Sequence, residues 1–295
     1  MRRFLFAGSA CLLLGVVAVF SACSDNATDP LPAGDPADPA FQFVEDEVSD
    51  QVFDGVDLSL EFSTELVDSI PGASGIRTGM RVDAAAYSAL VFDSLNYSFI
   101  NNWHLFDFWG YAVSESLEDT VNVSGVDSIQ ILASGVPQQV PDSSTDQISF
   151  RAHFSAANRA GTATRNGVHR IDIRRDDPQT EVTNLDGSVQ EAITFVHTDS
   201  GSSCDIAVNV DFTADNVVID FAADGCPQSG TISIALALSA DCGGGGLTLS
   251  VDGNWSIVGT FSGDTSHFNY SDGQHVWSRV ESCGPGGAQT IASLR

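Results

Sequence analysis

The sequence predicts a mainly β protein, an antiparallel meander forming a sandwich or a curved sheet or barrel, with one short helix toward the N-terminus. Three observations carry this expectation. Apolar and polar residues alternate over most of the chain beyond residue 55. The patterned segments are short and bounded by Gly, Pro, Asp or Ser. Two late connections, Ser262-Gly263-Asp264 and Ser271-Asp272-Gly273, hold residues that tolerate positive φ. Many short strands with tight turns argue for a meander that curls or folds over.

The N-terminus has a different character. Arg2 and Arg3 precede an apolar run at 4–20, and Phe20-Ser21-Ala22-Cys23 puts small residues just ahead of a cysteine. This is the pattern of a signal peptide, too short and wrongly flanked for a spanning helix. It resembles the N-terminus of bacterial lipoproteins over about the first 23 residues, with Phe20 where Leu is usual. The resemblance implies cleavage after residue 22 and a lipidated Cys23 that anchors the chain to a membrane. Ser24 in place of Asp fits sorting to the outer membrane, facing the periplasm or the surface. Residues 23–40 carry Pro30, Pro32, Pro36 and Pro39 without apolar periodicity and read as a disordered tether. Residues 41–295 then form one domain, with a subdivision near 200 after which the remaining cysteines lie.

Val56, Leu58, Leu60 and Phe62 suggest an early strand, and the Ala-rich stretch 81–95 is the helix candidate. Strands follow at 103–113, 121–132, 147–156, 169–174 and 192–197, then at 231–238, 247–251, 255–261, 266–270 and 274–280. The glycine run 243–246 reads as a flexible loop and 284–295 as a loose tail.

Four cysteines, Cys204, Cys226, Cys242 and Cys283, remain after processing and imply two disulfides in an exported chain. Ile206, Val208, Val210 and Phe212 alternate before Thr213-Ala214-Asp215-Asn216, and Val217, Ile219 and Phe221 alternate after it. A hairpin about that tetrad aligns both apolar faces and brings Cys204 to Cys226, leaving Cys242 for Cys283. The spacings lack the close pairs of a zinc site, so no metal or cofactor is expected.

The 39 acidic residues face 12 basic ones, all arginine, for a net charge of −27. That balance excludes broad nucleic-acid binding. The absence of lysine excludes Schiff-base, pyridoxal-phosphate and Walker-type phosphate-loop chemistry. A lysine-free, Asp-rich surface fits a saline habitat or a compositional bias.

The densest aromatic stretch would place Trp103, Leu105, Asp107, Trp109 and Tyr111 on one strand face and His104, Phe106 and Phe108 on the other. Two apolar faces suggest a strand covered on both sides. The functional alternative makes Trp103, Asp107, Trp109 and Tyr111 the lining of a ligand site. Six arginines crowd residues 151–175, and among them Arg151, Arg170 and Arg174 are candidates for holding an anionic group, against pairing with nearby acids. No catalytic motif occurs among the six histidines. The expected function is therefore a lipid-anchored envelope protein with a non-catalytic binding or structural role, its small-molecule or protein partner unidentified. The alternatives are a lipocalin-like carrier of an apolar or amphiphilic ligand and an exported hydrolase.

Overall fold

The computed structural model describes residues 30–49, 51–53, 66–67, 69–71, 87–114, 120–159, 162–176, 182–199, 202–220, 227–244, 247–263 and 265–282. Cys23, Cys226, Cys283, the expected strand at 56–62 and the tail at 284–295 lie outside them.

Twelve strands form a single antiparallel sheet. They are β1 (Tyr87–Ile100), β2 (Trp103–Ser114), β3 (Thr120–Ala133), β4 (Val136–Gln138), β5 (Gln147–Asn158), β6 (Ala163–Arg174), β7 (Val182–Asp199), β8 (Ser202–Asp220), β9 (Pro227–Gly244), β10 (Leu247–Ser262), β11 (Thr265–Ser271) and β12 (Val276–Ser282). Each pairs with the next along the chain, except that β4 caps β3 and β5 takes the following place. The described strands do not close into a barrel, because β1 and β12 remain at opposite ends of the order. β7 and β8 pair from Val182 and Asp220 to Asp199 and Ser202.

One face of the sheet is the core. Phe106, Asp127, Ala152, His169, Val189, Phe212, Ile234, Ile257, Tyr270 and Trp277 lie opposite one another in successive strands, and all are buried. In β9 the alternation is complete, with Ile232, Ile234, Leu236, Leu238, Ala240 and Cys242 inside and their neighbours outside.

An N-terminal helical segment covers part of this face. Helix α1 (Pro39–Phe43) begins at a proline and is capped by Asp38, whose Oδ1 accepts from the backbone N–H of Ala40 at 2.8 Å and of Phe41 at 3.3 Å. It passes into a π-helical turn, Val44–Val48. Phe41 stacks on Trp277, and Arg279 on β12 forms an ion pair with Glu45. Upstream, the Gly34 N–H donates to the Val276 carbonyl and the Trp277 indole N–H donates to the Asp35 carbonyl, both at 2.9 Å. Residues 33–35, within the stretch expected as tether, are thus held on β12.

Three further expectations need correction. The helix candidate at 81–95 is strand from Tyr87 onward, because Val91, Phe92 and Phe99 pair along β2 and this pairing overrides Ala propensity. The expected hairpin at 213–216 is the interior of β8. Ala214 and Val217 are both buried, so the apolar phase shifts by one residue there. A bulge absorbs that shift: register breaks between Asp215 and Val218, and Asn216 adopts φ 55°. The inferred Cys204–Cys226 bond fails with the hairpin, since Cys204 lies near the start of a strand whose far end is about 50 Å away at 3.3 Å per residue. Cys204 instead faces Cys242 across the β8–β9 ladder and is disulfide-bonded to it. That bond also removes Cys242 as the partner of Cys283.

Candidate functional site

The aromatic strand β2 has one core face and one open face. His104, Phe106 and Phe108 point into the core, whereas Trp103, Leu105, Asp107, Trp109 and Tyr111 lie on the outer face. Among the described residues, the layer packed on the sheet lies on its inner face, and the outer face of the strand is open. Trp109 is 51% exposed and Val126, diagonally across on β3, is 48% exposed.

Two outer-face rows define an open concavity of about 700 Å³ across β2, β3, β5, β6 and β7. Asp107, Val126, His153, Val168 and Gln190 stand opposite one another in the first row. Trp109, Ser124, Ser155 and Asn166 form the second. Gly125 and Gly167 belong to the inner-face alternation and lie in the floor. Ser155 donates its hydroxyl hydrogen to Asn166 Oδ1 at 2.7 Å, and Gln190 Nε2 donates to Asp211 at 2.8 Å. The site therefore offers one indole face, one carboxylate and several neutral hydrogen-bonding groups. Of the residues singled out in the sequence, it brings together Asp107 and Trp109. Trp103 and Tyr111 share the outer face of β2 and lie outside the concavity.

The three candidate arginines also lie on the outer face. Arg151 and Arg170 face each other one row beyond His153 and Val168. Arg151 makes a fork to both Asp172 oxygens at 3.1 Å and donates to the Phe150 carbonyl at 2.6 Å. Arg174 reaches Asp186 at 2.8 Å. Arg170 is exposed. Two of the three are thus engaged by acids, and they do not converge on a common anion site. Arg175 is buried, donating to the Thr145 carbonyl at 3.2 Å, and burial lowers its pKa against the opposing charge of Asp146.

A second polar group, not singled out in the sequence, lies on the inner face. His169 Nε2 meets Glu191 Oε1 at 2.9 Å, and Arg165 Nε lies 3.4 Å from Glu191 Oε2. Both His169 and Glu191 side chains are 1% exposed. Arg165 also donates to the Gln51 carbonyl, which ties the helical residues 51–53 to the sheet. This histidine–carboxylate pair is buried and joins β6 to β7, with Arg165 linking it to Gln51. The signal that marks these residues is phase: Arg165 and His169 occur in register with Ile171 and Ile173, and Glu191 in register with Val189 and Ile193.

The other histidines are dispersed. His104 is buried beside the Tyr97 hydroxyl at 3.1 Å, His275 lies 3.2 Å from Asp272, and His153 and His267 are exposed. Burial lowers the His104 pKa, with the Gln138 backbone acting in the opposite direction. No group of metal-ligating side chains occurs among the described residues.

No protein-family model, curated protein or solved structure matches the chain.

Proposed function

We propose that this chain is a lipid-anchored protein of the bacterial cell envelope, held at the outer membrane through Cys23, with a non-catalytic binding role. Its binding site is the outer-face concavity around Trp109. The observation that carries this reading is the presentation of Trp109, a large ring half out of contact with its own protein and flanked on the outer face by Asp107, Ser124 and the exposed Val126. The N-terminal pattern ending at Cys23 supports the address. The packing of Phe41, Val44 and Val48 against the inner face, where a carried lipid would sit, favours this reading over a lipocalin-like carrier.

The test uses the full lipidated chain in detergent, co-sedimented with detergent-insoluble, lipid-free envelope fractions, which give the anchor no bilayer to enter. Wild type is expected to sediment with one fraction and Trp109→Ala to remain soluble, with both showing the same thermal unfolding. Equal sedimentation of the two proteins would remove the assignment of the site. Radiolabelled palmitate incorporation that persists in Cys23→Ala would remove the anchor.

A further inference from the structure

We propose that the outer-face concavity binds a neutral hexopyranose chain, with one sugar stacked on Trp109. This identification of the ligand class rests on the binding reading given above.

The argument begins with shape. The site is open rather than enclosed, and it crosses five strands from Asp107 to Gln190. Four strand spacings of about 4.8 Å make that path roughly 19 Å long, enough for roughly four linked pyranoses lying across the strands. Such a floor suits a polymer that enters and leaves over the rim. It gives a small apolar ligand little enclosure.

Chemistry narrows the class. A pyranose ring has a face of C–H groups and an equator of hydroxyls, each able to donate and accept. Trp109 offers the flat apolar surface for the first. Asp107 is acceptor-only when ionised, while Asn166 and Gln190 each carry donors and an acceptor, a mixture that matches vicinal hydroxyls. The serines Ser124 and Ser155 are short and leave room for the sugar above them.

Charge excludes the nearest rivals. The concavity contains a carboxylate and no arginine, in a chain of net charge −27, so an anionic polymer would be repelled. Arg151 and Arg170 lie one row outside it, and Arg151 is forked to Asp172. A quaternary ammonium ligand is held by a cage of several Trp, Tyr or Phe rings, whereas Trp109 is the one such side chain exposed within this lining.

The experiment titrates full-length protein in detergent with cellotetraose, maltotetraose and tetra-N-acetylchitotetraose by calorimetry. Tetragalacturonate and choline chloride serve as the anionic and cationic probes. At least one neutral tetrasaccharide is expected to bind, with Trp109→Ala weakening it about tenfold or more. Asn166→Ala is expected to weaken it by a smaller factor, and melting temperatures should stay unchanged because both side chains are exposed. Binding of choline or tetragalacturonate that depends on Trp109, without binding of any neutral tetrasaccharide, overturns the ligand class and leaves the site. If no probe binds and Trp109→Ala also leaves envelope co-sedimentation unchanged, the class and the site fail together.

Discussion

Phe41 stacks on Trp277 with ring centroids 5.0 Å apart and an interplanar angle of 2°. The same indole donates to the Asp35 carbonyl, so one residue of β12 receives both the entering chain and the first helical turn. Phe41 is fully buried and also meets Tyr270 edge-on at 5.4 Å. Phe41→Ala is therefore expected to cost about 3–5 kcal/mol, read as a lower urea midpoint with an unchanged slope. Trp109→Ala, on the open face, should stay within about 0.5 kcal/mol. Equal losses in the two variants would mean that the helical segment is not part of the core.

Cysteine pairing separates the hairpin from the bulge. Non-reducing peptide mapping should yield a peptide joining Cys204 to Cys242. A peptide joining Cys204 to Cys226 would mean that β8 turns back at Asn216. Breaking a bond that closes a loop with a sequence separation of 38 is expected to lower stability by roughly 3–4 kcal/mol in the chain-entropy model, measurable with Cys204→Ser/Cys242→Ser.

Gly167 makes room for the inner ion pair. A Cβ at this position would lie 2.7 Å from Glu191 Cγ and 2.9 Å from His169 Nε2. Gly167→Ala should therefore cost about 1–3 kcal/mol by overpacking. Glu191→Ala leaves Arg165 and His169 without their shared carboxylate and should cost about 3–5 kcal/mol. Because both changes act on the same space, the double variant should lose less than the sum. Strict additivity in chemical denaturation would show that the glycine serves some other purpose.

Much of this architecture is legible in the sequence, and its gaps have physical causes. Ile232 to Leu238 alternate without interruption, so β9 could be placed from the residues alone. Asp215-Asn216 reads as a turn because the residues that favour a tight turn also favour a bulge, and only the pairing of β8 with both neighbours distinguishes them. The aromatic strand is recognisable from composition. Which of its faces is open depends on the row that joins Phe106 to Trp277 across the sheet, a relation no local pattern contains. The concavity is less legible still, since Trp109, His153 and Asn166 are brought together by register over β2, β3, β5 and β6.

His104 gives the protein a pH dependence of defined sign. Burial lowers its pKa from the usual value near 6.5, so the unfolded chain takes up this proton first as pH falls. Stability is full above about pH 6.5 and declines below it until the folded-state pKa is reached. His104→Phe should flatten urea midpoints between pH 7 and 5 relative to wild type. An unchanged slope would assign that pH dependence to other groups.

Asp205 and Asp241 are exposed and stand directly opposite each other in β8 and β9. Like charges in this position oppose folding, and Asp205→Asn is expected to raise stability by about 0.5 kcal/mol at low ionic strength. The pair Asp172 and Asp186 also faces across a ladder, but Arg151 and Arg174 neutralise it. Asp172→Asn should bring no gain, because it takes the carboxylate fork away from Arg151 while Arg170 remains opposite. At 1 M NaCl the Debye length falls to about 3 Å, so the benefit of Asp205→Asn should largely disappear while the wild-type melting temperature rises. If the benefit persists undiminished at that salt concentration, repulsion between Asp205 and Asp241 is not its source, and the acid excess of the sheet acts through something other than screened charge.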